Sequence, residues 1–357
     1  MNFWQQLQKP ILGLSPMDGV TDAAFRFIAA KYGKPDVIIT EFISVDGIMY
    51  GAERIFDDFL YHENERPVVA QLFGNDPALF YGAAKVVCEI GFDGVDINMG
   101  CPSRNVASRG AGAGLIRTPE LARKIISETK RGVADWVEHG TDGLPPKVLK
   151  AIDATKKVLT GLDVVFSTER EEIPVSVKTR VGFDHQVISE WIPNLLLEEP
   201  TNISLHGRTL KQMYTGFADW DAIKQAAELV HKYNADHGTA ITIMGNGDVT
   251  DKADYEYKLN ASGVDGVLVG RSGFGNPWIF EQLRGNLGEI SLEQKIEVAM
   301  EHSRMHEQIK TVAAFVEMRK HLGWYIKNFP GAAKVRSELM QTKSAVQVEQ
   351  IFAGLVG

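Results

Sequence analysis

The residues best suited to chemistry lie in the segment GVDINMGCPSRNVASRGAGAGL. Strand alternation places Val95 and Ile97 on one face and Asp96 and Asn98 on the other. Cys101 then begins a loop rich in Gly, Ser and Arg, the kind of mobile loop that often covers a barrel active site. A cysteine exposed to substrate there can act as nucleophile or proton donor, and the alternative is a small buried hydrophobe.

A second set of residues predicts a phosphate site. The segments ITIMGNGDV and VLVGRSGFGNPW each place glycine straight after an apolar run. Glycine lets backbone N–H groups approach a ligand closely, and loops after the last two strands of a β/α barrel often bind phosphate. The glycines concerned are Gly247 and Gly270, and Arg271 adds a charged donor.

Short β-branched apolar runs alternate with helix-like stretches and must position these residues. Strands alternating with helices imply a parallel sheet, and eight such units predict a closed (β/α)8 TIM barrel. The predicted strands are Ile11–Met17, Val37–Ser44, Pro67–Gly74, Gly94–Gly100, Ile173–Arg180, Asn202–Gly207, Ala240–Gly245 and Gly263–Gly270. Predicted helices include Thr21–Tyr32, Pro77–Ile90, Thr118–Arg131 and Trp220–Tyr233.

Every predicted strand ends in polar or glycine-rich residues. The C-terminal ends of barrel strands are where such enzymes carry their chemistry, so one shared active site is expected there. The strand ends are Pro16-Met17-Asp18, Glu41, Gln71, Asp96-Ile97-Asn98, Lys178-Thr179-Arg180, His206-Gly207-Arg208, Asn246-Gly247-Asp248 and Gly270-Arg271.

Two segments fall outside the repeating pattern. Residues 132–172 form an insertion with its own predicted helix, Pro146–Leu162, which we interpret as a surface elaboration. No strand pattern follows Ser291, which with Gln294 predicts a helix capping box. The sequence therefore predicts a barrel domain over 1–288 and a small C-terminal helical bundle over 289–357.

Composition limits the class of protein. A formal net charge of -8 argues against wholesale nucleic-acid binding, although it allows a local basic face. Two cysteines make no disulfide framework and no cysteine-rich metal site, and Cys88, in the apolar helix AAKVVCEIGF, is a core residue. Without a signal-peptide pattern or an apolar run of about 18 residues, the sequence predicts a cytoplasmic protein that binds no metal and no membrane and has no obligate protein partner.

Seven motifs resemble those of the tRNA-dihydrouridine synthase family and cover nearly the whole barrel in order. They are PMDGVTDAAFR, QLFGNDP, DINMGCPSRNV, PVSVKTRVGF, LHGRTLKQMYTGFADW, GNGDV and GVLVGRSGFGNPWIF. The helical segment HLGWYIKNFPGAAKVR is similar, less sharply, to the family's tRNA-binding domain. The resemblance implies FMN-dependent reduction of uridines in tRNA to 5,6-dihydrouridine by NAD(P)H, with NADPH the expected reductant.

The resemblance also implies roles for individual residues. Hydride would pass from N5 of reduced FMN to uracil C6, and Cys101 would give a proton to C5. Asn98 and Arg180 fall where substrate contacts are expected. The implied FMN contacts are Pro16, Met17, Asp18, Gln71, Lys178, His206, Asn246, Gly247, Asp248, Gly270 and Arg271.

Asp18 departs from the family pattern, which commonly has Ala at this position. An acid beside an electron-rich flavin should disfavour the reduced form, unless Asp18 points to solvent or pairs with a base.

The partner expected from the resemblance is tRNA, a polyanion that needs a basic face on this acidic chain. The candidates are Lys320, Lys327, Lys334 and Arg336, and Pro330 argues that two helices present them rather than one. The same region also carries Lys295, Arg304, Lys310, Arg319 and Lys343. Two alternatives stay open: an FMN barrel oxidoreductase acting on a small molecule, and an RNA-folding or scaffold protein without chemistry.

Overall fold

The computed structural model describes residues 2–309, 312–327 and 329–356. Eight parallel strands close into a barrel in chain order, with β8 pairing back to β1. The strands are β1 Ile11–Leu14, β2 Val37–Ser44, β3 Val68–Phe73, β4 Gly94–Met99, β5 Val175–Arg180, β6 Asn202–His206, β7 Thr242–Asn246 and β8 Gly266–Val269. The predicted (β/α)8 TIM barrel is confirmed.

Several observed strands are shorter than their predicted runs. The first predicted strand extends to Met17, but β1 ends at Leu14. The difference arises because the Met17 carbonyl accepts hydrogen bonds from the N–H groups of Val20 and Thr21, so the chain turns there instead of continuing the sheet. Met17 and Val20 of this turn line a cavity at the C-terminal ends of the strands.

Helices connect the strands and continue beyond the barrel. They are α1 Phe3–Gln6, α2 Ala23–Gly33, α3 Val45–Tyr50, α4 Glu53–Phe56, α5 Pro77–Ile90, α6 Arg104–Ala107, α7 Pro119–His139, α8 Pro146–Gly161, α9 Ile188–Leu196, α10 Trp220–His237, α11 Lys252–Ser262, α12 Ile279–Arg284, α13 Leu292–Ile309, α14 Met318–Tyr325, α15 Ala332–Leu339 and α16 Ala345–Val356. Short 3₁₀ helices lie at Asp57–Phe59, Glu63–Glu65, Gly112–Arg117, Arg271–Gly273 and Val312–Glu317.

Aspartate side chains fix the starts of four barrel helices. Each accepts a hydrogen bond from a backbone N–H of the first helical turn, which satisfies a donor that the helix itself cannot. The capping residues are Asp22 for α2, Asp76 for α5, Asp219 for α10 and Asp251 for α11. These caps set where each helix begins after its strand-end loop.

The end of the barrel opposite the polar strand ends is closed by apolar packing. Trp4 of α1 is fully buried against side chains from the strands, including Ile11, Val69, Met244 and Leu268. Close packing of this kind makes one end of the barrel a rigid base. The other end is left to carry the polar residues.

The insertion between β4 and β5 is smaller than predicted. Residues 132–139 continue α7, so the insertion begins after His139. Its helix α8 matches the prediction closely, and Val148, Ile152 and Leu159 are buried in the same core as the barrel. The predicted helix is therefore an integral part of the packed structure.

The C-terminal helices form a second hydrophobic core, which Ile28 of α2 and Trp278 also join. The predicted capping box is confirmed, because the Ser291 N–H donates to Gln294 Oε1 at 2.9 Å and the Gln294 N–H to Ser291 Oγ at 3.2 Å. Pro330 separates α14 from α15, as expected from its missing N–H. The division into domains at 288/289 stays a prediction.

Three histidines are buried where the C-terminal helices meet α2. His302 and His306 of α13 and His321 of α14 are each at most 1% exposed, and His302 Nδ1 lies 3.2 Å from the Tyr325 hydroxyl. Burial lowers the pKa of His302 to about 4, with Asp22 and Glu301 opposing the shift and His306 adding to it. Burial also holds the pKa of His321 well below 6.5.

These histidines predict acid lability. A histidine that stays neutral when folded but titrates normally when unfolded supports stability above its unfolded pKa, and this support is lost as the pH falls. His302 alone should lower the free energy of unfolding by about 2 kcal/mol between about pH 7 and about pH 5. Urea unfolding at the two pH values measures this change in the free energy of unfolding. His302→Gln should remove the part of the pH dependence that comes from His302. The exposed His231→Gln variant is the control, and equal pH dependence in both variants would contradict the assignment.

Candidate active site

A cavity of about 1340 Å³ opens at the C-terminal ends of the strands. It is lined by all the site residues predicted from the sequence, together with residues of the loops after β6 and β8. The predicted residues are Pro16, Met17, Asp18, Gln71, Asn98, Cys101, Lys178, Arg180, His206, Asn246, Gly247, Asp248, Gly270 and Arg271. The structure thus brings these residues together around one cavity.

A chain of hydrogen bonds connects the barrel interior to Cys101. Gln71 Nε2 donates to Asp96 Oδ2 at 2.7 Å, and Asn98 Nδ2 donates to Gln71 Oε1 at 2.7 Å. Asn98 Oδ1 then accepts from the backbone N–H of Cys101 at 2.8 Å. A carboxylate only accepts and a backbone N–H only donates, so both amide orientations are chemically determined. The turn that carries Cys101 is therefore anchored to the sheet.

Asp96 is the first residue of this hydrogen-bond chain, and no role was predicted for it beyond its place at a strand end. It is fully buried, and Ser176 Oγ donates to its Oδ1 at 2.6 Å. Burial raises the pKa of Asp96 to about 6, although hydrogen bonds from Ser176 and Gln71 and the charge of Lys178 oppose the rise. The sequence did contain a signal for this residue, because the alternation of the fourth strand places Asp96 on the same face as Asn98.

The Cys101 side chain is less open than a loop cysteine was expected to be, with 7% of its surface exposed. Gly112, in the left-handed conformation, lies so close that an added Cβ would be 3.0 Å from Cys101 Cβ. Burial raises the pKa of the Cys101 thiol, and the charge of Asp18 raises it further. The side chain is therefore a protonated thiol at neutral pH, on the wall of the cavity.

Cys88, the other cysteine, is a core residue as predicted. It is 3% exposed within α5, and burial raises the pKa of its thiol.

Lys178 and Asn246 form a cationic edge of the cavity. Lys178 Nζ donates to Asn246 Oδ1 at 3.2 Å, and Asn246 Nδ2 donates to the Leu268 carbonyl at 2.8 Å. Burial lowers the pKa of Lys178 to about 8, and the neighbouring Arg180 charge contributes to the shift. The amine is therefore mostly charged at neutral pH but loses its proton in mild alkali.

Arg180 and His206 lie on adjacent strands. Arg180 Nε donates to the Gly100 carbonyl at 2.6 Å, directly before Cys101, so this buried arginine also fixes the cysteine turn. Burial, followed by the charges of Arg180 and Lys178, holds the pKa of His206 well below 6.5. His206 is consequently a neutral hydrogen-bonding group in a cationic setting.

Two glycines, Gly247 and Gly270, line the cavity beside the ends of β7 and β8. Gly247 has φ 129°, and an added Cβ would lie 2.6 Å from the Ala218 Cβ. An added Cβ at Gly270 would lie 3.2 Å from Met17 Sδ. A larger residue at either position would be crowded by these side chains, and at Gly247 it would also strain the backbone.

Asp248 links two arginines that line the same cavity. Its Oδ2 accepts from Arg208 at 2.6 Å and from the Ala218 N–H at 2.8 Å, and its Oδ1 accepts from Arg271 at 2.6 Å. Burial alone would raise the pKa of Asp248, but the bonds from Arg208 and Ala218 and the two arginine charges lower it overall. Arg208 was not among the predicted site residues, although its strand-end position in the HGR segment was visible.

Asp18 has a basic neighbour from the C-terminal helices. Lys320 of α14 donates to the Gly19 carbonyl. Burial raises the pKa of Asp18, and the charge of Lys320 opposes this rise. The expectation that a base could offset Asp18 is therefore met in part by a residue distant in sequence.

The other predicted basic residues line surface recesses of the C-terminal helices. Lys327 and Arg336 line one surface recess, and Lys334 lines a neighbouring one. Arg336 also donates to the Ile326 carbonyl at 2.9 Å, so part of its role is structural. Lys310, which shares the region, lies outside the described residues.

Over the described ranges, no group of three or more His, Cys, Asp or Glu side chains is arranged to hold a metal ion. No helix within those same ranges is long and apolar enough to span a bilayer.

Comparison with known proteins adds an independent finding. The family model described as "Dihydrouridine synthase (Dus)" matches residues 13–139 and 154–353. The chain belongs to the dihydrouridine synthase family. The match includes the barrel and the C-terminal helices, and the unmatched residues 140–153 lie within the insertion before β5.

Curated relatives of this dihydrouridine synthase family member match along most of its length. "Probable tRNA-dihydrouridine synthase 2" of Bacillus subtilis is 31% identical, over 98% of this chain and 95% of the relative. "Probable tRNA-dihydrouridine synthase" of Staphylococcus epidermidis is 30% identical, over 98% and 95%. The Staphylococcus aureus protein of the same name is 29% identical, over 98% and 94%.

A solved structure of DHODH in complex with ferulenol from Eimeria tenella is also similar. It has a TM-score of 0.48 at 12% identity and covers 77% of this chain and 79% of its own. This likeness is too distant to bear on ligand or activity.

Proposed function

We propose that this protein reduces uridines in tRNA to 5,6-dihydrouridine, with FMN as its cofactor and NAD(P)H as the reductant. One observation carries the proposal: the thiol of Cys101 lines the same cavity as Gly247, Gly270 and Arg271, the residues predicted to bind a phosphate. The cavity volume of about 1340 Å³ exceeds the usual range of about 300–1,000 Å³ for ligand pockets. It offers room for a cofactor and a nucleobase together.

The donor set fits FMN. Gly247, Gly270 and Arg271 would hold its phosphate, because backbone approach and a guanidinium suit a dianion. Gln71 and Lys178 would contact the polar edge of the ring, with Pro16, Met17 and Asn246 also lining the site. Asp248 would orient Arg271 rather than contact the phosphate, since its oxygens already accept from Arg208, Ala218 and Arg271. When bound and reduced, FMN supplies the hydride to uracil.

The chain's own residues would supply the proton and the charge balance. Hydride addition to C6 leaves negative charge that extends through C5, and the Cys101 thiol would give its proton to C5. The raised pKa of this thiol keeps the proton available at neutral pH. Lys178 would place a positive charge at the ring edge below about pH 8.

Asn98 and Arg180 would position the base. Gln71 takes only one of the two Nδ2 hydrogens of Asn98, so the amide retains a donor. Arg180 is held by the Gly100 and Thr209 carbonyls. Both side chains line the same cavity as Cys101 and Lys178, from which they are only two or three residues away in the sequence.

Support for tRNA as the substrate comes from the names of the relatives and from the C-terminal helices. The family match continues through these helices to residue 353, and a reductase of small molecules would not need them. A scaffold protein without chemistry would not need Cys101 and Lys178 in a shared cavity.

Replacement of Arg271 by alanine is expected to weaken FMN binding by about tenfold to a hundredfold, the range for losing one charged hydrogen bond. Riboflavin, which lacks the phosphate, should bind both proteins equally. Quenching of flavin fluorescence on titration of the apoprotein measures both dissociation constants. Arg117→Ala, whose side chain pairs with Asp184 outside the cavity, is the control. An equal loss of riboflavin binding would refute the phosphate assignment.

A further inference from the structure

The loop between β6 and α10 carries an aromatic side chain in an unusual setting. Phe217 is 89% exposed, more than any other large hydrophobic side chain among the described residues. Tyr214 and Met213, from the same loop, are 64% and 39% exposed. All three line the rim of the active-site cavity.

The backbone on both sides of Phe217 is held firmly. Arg208 donates to the Gly216 carbonyl at 2.6 Å and to the Thr215 carbonyl at 3.3 Å. The Ala218 N–H donates to Asp248 at 2.8 Å. The Arg208–Asp248 ion pair is itself nearly buried, with side-chain exposures of 3% and 19%. The backbone around Phe217 is therefore held in place while its ring is exposed to solvent.

This arrangement is not explained by packing, since burial of a phenylalanine is what stabilises a fold and this ring is left in water. The exposed apolar side chains of this loop are Phe217, Tyr214 and Met213, far fewer than the roughly 20–30 residues that each partner contributes to a stable protein interface. A single rigid ring suits one planar partner. Nucleobases of every type have such a face.

We propose that Phe217, supported by Tyr214, is a stacking platform for a nucleobase next to the uridine that enters the cavity. The inference rests on the proposed function and deepens it. If the reacting base lies inside the cavity, the adjoining nucleotides must pass its rim, where Phe217 is displayed. A phenyl ring has no hydrogen-bonding group, so this contact supplies affinity without selecting the base that it touches.

The test compares Phe217→Ala, Phe217→Leu and Phe217→Trp with wild type, using unmodified tRNA and a short single-stranded oligouridylate as probes. Tyr257→Ala is the matched control, since Tyr257 is 73% exposed on α11 and does not line the cavity. Phe217→Ala should weaken binding of both RNAs by about fivefold to a hundredfold, the range for losing one base–aromatic stack. Phe217→Leu should be nearly as weak, and Phe217→Trp should bind as well as wild type.

Two further readouts separate stacking from other roles. The salt dependence of binding should not change, because no phosphate contact is removed. The KM for tRNA should rise while kcat stays near wild type, since the ring does not touch the reacting atoms. Leucine binding as tightly as phenylalanine, or alanine binding like the Tyr257→Ala control, would overturn the proposal. If wild type makes no dihydrouridine but Phe217→Ala still weakens oligouridylate binding, the proposed reaction fails and the platform stands.

Discussion

Dihydrouridine formation is expected to slow by about 10²–10⁴-fold when Cys101 is replaced by alanine, the usual effect of removing a positioned acid. The reduction of bound flavin by NADPH should keep its wild-type rate, because that half-reaction needs no proton donor on the uracil side. Stopped-flow absorbance separates the two half-reactions. The replacement should leave the Cys101 turn in place, because its backbone N–H, and not the thiol, bonds to Asn98.

Cys88→Ala is the control for Cys101→Ala. Its thiol is buried in α5 and does not line the active-site cavity, so its loss should reduce stability and leave both half-reactions intact. Cys101→Ser should remain slow, because a hydroxyl is a far weaker acid than a thiol. Uridine reduction at the wild-type rate in Cys101→Ala would remove Cys101 from the mechanism.

Charge reversal in the C-terminal helices is expected to weaken tRNA binding by about tenfold to a hundredfold in the double variant Lys327→Glu/Lys334→Glu. Both side chains are exposed, whereas Arg336 holds the Ile326 carbonyl and its replacement would disturb the fold. The slope of log K against log salt should flatten by about one to two, as expected for two lost phosphate contacts. Filter binding over a salt series measures both quantities.

The control for that variant is Lys224→Glu/Lys232→Glu, which makes the same change in net charge on α10. Its tRNA affinity should fall far less, because long-range repulsion is screened within about 10 Å at moderate salt. Should the two double variants lose affinity equally, the RNA-binding face lies elsewhere, and the insertion around α8 would be tested next.

The barrel could be predicted from the sequence because each strand is a short β-branched run that ends at a polar group, and this local pattern is what the fold requires. Strand ends were less predictable. The apolar pattern continues through Met17, and only the hydrogen bonds of Val20 and Thr21 show where the chain turns. In the same way, the continuation of α7 through residues 132–139 depends on packing and not on local composition.

The candidate site also combines features that are local in the sequence with contacts between distant residues. The position of Cys101 and Arg271 at the cavity could be predicted from residue type and motif, because both follow directly after predicted strands. The hydrogen-bond partners of Asp96 could not be predicted, since Gln71 and Ser176 come from other strands. The same holds for the contact between Lys320 and Gly19, which lie 301 residues apart in the sequence. Relations of this kind arise only when the barrel closes and the C-terminal helices pack against α2.

The most direct test of the proposed function is nucleoside mass spectrometry of tRNA. The purified protein, loaded with FMN, is incubated with NADPH and unmodified tRNA, and the digested nucleosides are measured with Cys101→Ala as the parallel control. The proposal predicts that particular uridines gain two hydrogens in the wild-type reaction and that the control forms far less of this product. If wild-type protein with fully reducible bound FMN leaves every uridine unchanged, reduction of uridine in tRNA is not its reaction.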